Sequence, residues 1–164
     1  MQKKNGLYKK IKMSLANLKL ISWEVTDGAL ETLSSISPVG SSTGREGRRL
    51  AESLLNSPIT WIAPSFGITI VYPLGRYGED EAKAVYNTSQ LRTGMDIIGA
   101  VYNFYQTPIS IEELQRLIED PEVSREIILE KPRYTYGDTL LGLIFFEGLE
   151  PTGLIGEYRL QLGS

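Results

Sequence analysis

Hydrophobic and polar positions alternate along the chain in two different periods, and the changes of period mark its elements. Residues 17–25 are mostly apolar and read as a strand. Asp27 then stands where it can cap a short helix with Leu30, Leu33 and Ile36 on one face, ended by Ser37 and Pro38. After a loop rich in Gly and Ser, Thr43 and Glu46 form a capping box, which predicts a helix burying Leu50, Leu54 and Leu55 and closed by Pro58. Residues 59–62 and 66–72 read as two strands of a hairpin, broken by Pro64 and stopped by Pro73, with Phe66, Ile68, Ile70 and Tyr72 sharing one face. A polar loop follows at 75–81, and then residues 82–86 as a short strand or a helical turn.

The second half is more sharply punctuated. Thr93 predicts the cap of a helix running to about Gln106, with Asp96 favouring its positive end and Ile97, Ile98, Val101, Tyr102, Phe104 and Tyr105 as apolar positions. Thr107-Pro108 breaks it. Ser110 and Glu113 make a second capping box for a helix carrying Ile111, Leu114, Leu117 and Ile118, the two helices forming a corner. Asp120-Pro121 permits a third helical turn through Ile127 to Leu129, ended by Pro132. Residues 140–149 and 157–162 read as two strands joined by 151–156, with Tyr158, Leu160 and Leu162 alternating inward. The expected architecture is therefore α+β: a single compact domain of residues 17–164, in which antiparallel strands and hairpins pack against three to four short helices, preceded by a basic leader of residues 1–16.

Composition changes this picture in two ways. The 164 residues contain no histidine and no cysteine, so the neutral-pH proton shuttle, the thiolate nucleophile and the usual zinc, copper and iron ligands are absent. The commonest enzyme chemistries are closed, no cofactor is expected, and binding or assembly is favoured. The net charge of −3 also conceals an asymmetry: Lys3, Lys4, Lys9, Lys10 and Lys12 stand without an acid among them, and without those five lysines 12 basic residues face 20 acidic ones, a balance of −8. Leu7, Ile11, Leu15 and Leu18 follow a rough helical spacing, so the leader reads as an amphipathic basic segment suited to an acidic partner, nucleic acid or anionic lipid, or else as a solubilising tail. The polar start is followed by no apolar run and no stretch is long enough to span a bilayer, so the expectation is an intracellular protein or one incorporated in a virion.

Candidate chemistry is sparse. Gly40, Gly44 and Gly47 with Arg45, Arg48 and Arg49 at a helix start could receive a phosphate, although the spacing matches no nucleotide-loop fingerprint. Glu79, Asp80 and Glu81 form an acidic run without the ligand spacing of a calcium loop. Asp96, Asp138 and Glu147 are the carboxylates from which an acid and base pair for hydrolysis would be drawn, but nothing in the sequence brings two together, and only Glu147 lacks an evident local role. Tyr134 and Tyr136, beside Lys131 and Arg133, offer the flat amphipathic area that interfaces favour; the same groups could stack bases, against which the acidic body argues.

Residues 94–149 also resemble an uncharacterised domain of basidiomycete fungal proteins and of small proteins of large DNA viruses. The likeness lies in Gly94-Met95-Asp96-Ile97-Ile98, in Tyr102-Asn103-Phe104-Tyr105 with Pro108, in Glu112-Glu113-Leu114, in Gly137-Asp138 and in Phe146-Glu147-Gly148-Leu149. It carries no catalytic motif and implies a fold unit with a viral setting. Together these observations lead us to expect a non-enzymatic structural or interaction protein, a minor capsid or virion-associated component joined to other proteins of a larger assembly through its leader, with nucleic acid a secondary partner. The alternatives are a cytosolic binding module and a carboxylate-based hydrolase.

Overall fold

The computed structural model describes residues 21–26, 37–38, 52–53, 55–61 and 67–164. Within them the chain is an α+β protein. Its elements are β1 (Ile21–Ser22), β2 (Ser37–Pro38), β3 (Ile68–Leu74), β4 (Asp80–Tyr86), α1 (Gly94–Tyr105), β5 (Pro108–Ile109), α2 (Ile111–Ile118), α3 (Pro121–Glu130), β6 (Tyr134–Thr135), β7 (Phe145–Pro151) and β8 (Glu157–Gly163). The leader with Lys3 to Lys12, the helix predicted after Asp27 and the glycine-arginine segment with Arg45, Arg48 and Arg49 lie outside the described residues.

Four strands make the main sheet, in the order β4-β3-β8-β7. β3 runs antiparallel to β4 and parallel to β8, and β7 and β8 form an antiparallel hairpin. The hairpin predicted from residues 59–72 is not formed: Ile59 N–H donates to Arg92 O at 2.8 Å and Pro58 bridges to Thr93, so this segment lies beside the start of α1, while β3 turns back through residues 75–79 into β4. Nor does Pro73 stop β3, which continues to Leu74. Pro73 is tolerated because its position needs no N–H toward β4, as the hydrogen bonding of β3 requires. The apolar run from Leu140 likewise becomes strand only at Phe145, because Leu141 (φ 49°) and Gly142 (φ 103°) turn the chain first.

The three helices between β4 and β7 begin where the local signals place them. Thr93 and Asp96 form a reciprocal capping box on α1, Ser110 Oγ accepts from Glu113 N–H at the start of α2, and Asp120 caps α3 with Pro121 in its first turn. Glu113 does not complete a box; its carboxylate holds Arg116 instead. α1 packs through Ile97, Ile98, Val101 and Tyr105 into the same core as Ile68, Ile70, Tyr72 and Leu74 of β3, and that core extends to Trp23, Phe146 and Leu160. Each such side chain is worth about 1.5 to 3 kcal/mol of burial, so the packing of α1 on the sheet is one of the main supports of the fold. Tyr105 Oη donates to Pro73 O at 2.9 Å, and Trp61 Nε1 to Leu91 O at 2.8 Å, which satisfies two buried polar groups across the core. Among the described residues no helix is long and apolar enough to cross a membrane.

Candidate functional site

The position of β4 at the sheet edge follows from the hydrogen-bond direction of its neighbour. Thr69 N–H donates to Gly156 O at 2.8 Å, toward β8, so Thr69, Val71 and Pro73 face β8 and the intervening Ile68, Ile70, Tyr72 and Leu74 face β4. In the antiparallel register, Asp80, Ala82, Ala84 and Tyr86 answer those four, which leaves the backbone N–H and C=O of Glu81, Lys83 and Val85 pointing to the open side. No described strand pairs with them.

The side chains of β4 divide the same way. Glu81, Lys83 and Val85 are exposed, Val85 by 73%. Lys83 Nζ reaches Glu157 Oε2 at 3.3 Å and Arg159 reaches Glu81 Oε2 at 3.0 Å, two parallel diagonal ion pairs that span β3 on either side of Val71, which stands between Lys83 and Arg159 in register and is fully buried. On the other face Ala82 and Ala84 are small and half-buried, and Tyr86 shares a 2.7 Å hydrogen bond with Tyr72 Oη. Burial, reinforced by the neighbouring Tyr86, holds the Tyr72 phenol far above its ordinary range, and burial also pushes Tyr86 up although its bond to Tyr72 works the other way. Neither is a base or a nucleophile at neutral pH.

Tyr86 also opens a cleft of 510 Å³ between the end of β4 and α1. Met95, Gly99, Ala100 and Phe104 supply its apolar lining, and the exposed Gln90 and Asn103 its amides. A Cβ built on Gly99 meets nothing within 4 Å, so the helix surface is shaved at the position where a side chain would fill the cleft. A second cleft of 350 Å³ lies between the β3–β4 turn and the junction of α2 and α3. There Tyr77 is 68% exposed at φ 63°, with the Arg76 guanidinium 5.1 Å from its ring centre, and Gly75 is required because a Cβ would meet Leu117 O at 2.8 Å.

The candidate carboxylates are placed in structural roles. Asp96 Oδ2 accepts from Arg92 N–H at 2.8 Å and Thr93 N–H at 3.1 Å. Asp138 accepts from Thr135 N–H at 2.9 Å and pairs with Lys131. Glu147, without a role in the sequence, is the extra residue where the β7–β8 register shifts between Phe146 and Gly148, and its exposed side chain lies against Gly163. In the acidic run Asp80 meets Arg116 at 3.7 Å and Glu81 is held by Arg159, and among the described residues no three acidic side chains gather to hold a metal ion.

Of the proposed contact residues, Arg133 is exposed, whereas Tyr134 and Tyr136 are half-buried. Tyr134 Oη donates to Ile128 O at 3.4 Å. Tyr136 stacks on Phe104 at 5.3 Å, and Phe104 stacks in turn on Tyr72 at 3.8 Å, so the face of Tyr136 is spent on the core. The β4 edge and the cleft beside it escaped the reading of the sequence. The alternation of charged and small residues in Asp80-Glu81-Ala82-Lys83-Ala84-Val85-Tyr86 is the signal that marks the strand, but it says nothing of which strand lies beside it.

In comparisons with known proteins, no family model, no characterised protein and no solved structure matches the chain.

Proposed function

We propose that this chain is a non-enzymatic structural or protein-interaction protein that engages its partner by adding an extended segment to the β4 edge. The observation that carries the reading is the open edge beside an adjoining cleft: Glu81, Lys83 and Val85 offer main-chain donors and acceptors, and the 510 Å³ space against α1 can receive side chains from an added strand. That combination of strand edge and helix-lined groove is how extended peptides are held by strand addition, the main chain giving affinity and the groove specificity. Of the carboxylates that a hydrolase would need, Asp96 is engaged in a helix cap and Asp138 in an ion pair, while Glu147 stands exposed on a strand bulge. The sharper form of the proposal, a minor capsid or virion-associated component with the basic leader as a second contact to neighbouring proteins, rests on the resemblance of residues 94–149 and on the charge of residues 1–12.

Lysine-directed crosslinking of native material, read by mass spectrometry, tests it. Reproducible links from Lys83 and from Lys3 to Lys12 to one abundant partner are expected, with the Lys83 links lost in Gly99→Leu, which puts an apolar side chain into the cleft from a position where a Cβ meets nothing within 4 Å. A chain that links to nothing, or whose Lys83 links survive the filled cleft, refutes the reading.

A further inference from the structure

The occupant of the β4 edge can be deduced from the strand itself. We infer that β4 pairs with β4 of a second copy of this chain, antiparallel and with the two-fold axis at Ala82, joining two four-stranded sheets into one of eight strands. This rests on the reading of the β4 edge as the docking surface and names the partner.

Three constraints select the arrangement. A two-fold antiparallel pair places facing residues on the same side of the sheet, so the axis passes through a residue of β4, and outward positions face outward positions. An axis at Lys83 sets two ammonium groups opposite each other, and an axis at Glu81 two carboxylates. An axis at Ala84 puts Lys83 against Val85 and leaves Glu81 beyond the end of the strand. Only the axis at Ala82 sets Glu81 of each copy against Lys83 of the other, the favourable cross-strand pairing. The backbone agrees. Glu81 and Lys83 direct their N–H and C=O to the open side, so they form the hydrogen-bonded pairs of the new ladder, and Ala82 meets its own copy as a non-hydrogen-bonded pair, where Cα atoms approach to about 4.5 Å and a small side chain is suited. The charges then run on without a break, because within each copy Glu81 is already held by Arg159 and Lys83 by Glu157. Lysine in the middle of an edge strand ordinarily discourages pairing. Here it rejects the misregistered pairings and is answered in one.

The full chain at a series of concentrations, followed by sedimentation velocity, gives the test. The wild type is expected to pass from monomer to dimer. Lys83→Glu and Glu81→Lys each place like charges at both facing positions and raise the dissociation constant by at least about tenfold. An equimolar mixture of the two variants restores both opposite-charge pairs and dimerises as the wild type does. Lys83→Pro, read beside Lys83→Ala as the control for the lost charge, removes a donor of the new ladder without touching the bonds to β3 and yields monomer. Near-ultraviolet circular dichroism matching the wild type establishes that the variants are folded. A wild type that stays monomeric, single variants that dimerise unchanged, or a mixture of folded variants that stays monomeric overturns the inference. If the wild type is monomeric yet Lys83 still crosslinks to another protein and loses those links in Gly99→Leu, the self-pairing fails while the interaction reading stands.

Discussion

The two edges of the main sheet are treated in opposite ways. At β7 the chain lays a cover on the strand: Phe146 N–H donates to Trp23 O at 3.0 Å, Val25 N–H donates to Ile144 O at 2.8 Å, and Glu24 bridges to Phe145. A bulge at Glu147 breaks the regular ladder and Pro151 ends the strand, both recognised devices against strand addition. β4 has neither bulge nor proline in its seven residues, and no described segment lies along it. The difference is informative because both edges belong to one sheet and face the same hazard of promiscuous pairing. One edge is covered, bulged and closed by proline, while among the described residues the other is guarded only by its charges, and the proposed docking at β4 builds on that contrast.

The largest effect is expected from stripping the covered edge. Trp23 is buried and packs on Phe146 with ring centres 5.3 Å apart, so Trp23→Ala should cost about 3 to 5 kcal/mol in urea unfolding and turn β7 into a second, sticky edge, detected as aggregation that the wild type lacks. A smaller loss follows where β3 outruns its neighbour. Beyond the three residues that β8 pairs, the Pro73 carbonyl is served by the Tyr105 hydroxyl, and Tyr105→Phe leaves it unpaired at a cost of about 1 to 3 kcal/mol.

The same phenols set an alkaline limit. Burial raises Tyr72, Tyr86, Tyr105 and Tyr158 above their ordinary value of 10.0. Unfolded, these groups release their protons near pH 10, whereas the folded chain retains them, so above that pH the folded state holds more protons than the unfolded one. Stability is therefore complete below pH 10 and falls as the pH rises beyond it; urea midpoints measured from pH 8 upward should decline there, and less steeply in Tyr105→Phe.

Two further variants sharpen the contrast on the β4 side. Tyr77 follows Arg76 in the turn closed by Gly78 N–H to Gly75 O at 3.1 Å, and its φ of 63° suits Gly or Asn better. Tyr77→Asn should raise stability by about 1 kcal/mol in thermal unfolding, since the strain is local and the ring is exposed. Lys83→Ala should have the smallest effect, under about 1 kcal/mol on the unfolding of the monomer, because its ion pair with Glu157 is half-exposed on the lysine side.

How far these features could be read in advance depends on their range along the chain. Thr93 with Asp96, Ser110 with Glu113 and Asp120 with Pro121 announce three helices, because a cap is completed within about a turn of its own residue. The β7–β8 hairpin was legible for a related reason: a short connection joins two alternating runs. The partners of β3 were not. Alternation in Ile68, Ile70 and Tyr72 tells which face is buried, yet the neighbour chosen on one side begins at Asp80 and on the other at Glu157. The role of Glu147 was hidden likewise, since a bulge exists only in relation to the opposite strand.

By itself, then, the sequence determined an α+β chain with three capped helices, an apolar set sufficient for one core, and a chemistry without imidazole or thiol, all of which follow from local hydrogen bonding and composition. Only the tertiary structure decided that Pro58 and Ile59 lie beside α1, that β3 is flanked by β4 and a parallel β8, that Trp23 to Val25 cover one edge, and that Tyr86 faces Gly99 and Phe104 across a cleft. Those are choices among partners distant in sequence. They are settled by which packing of the whole core buries most apolar surface while keeping buried main-chain groups hydrogen-bonded, a balance that no single segment carries.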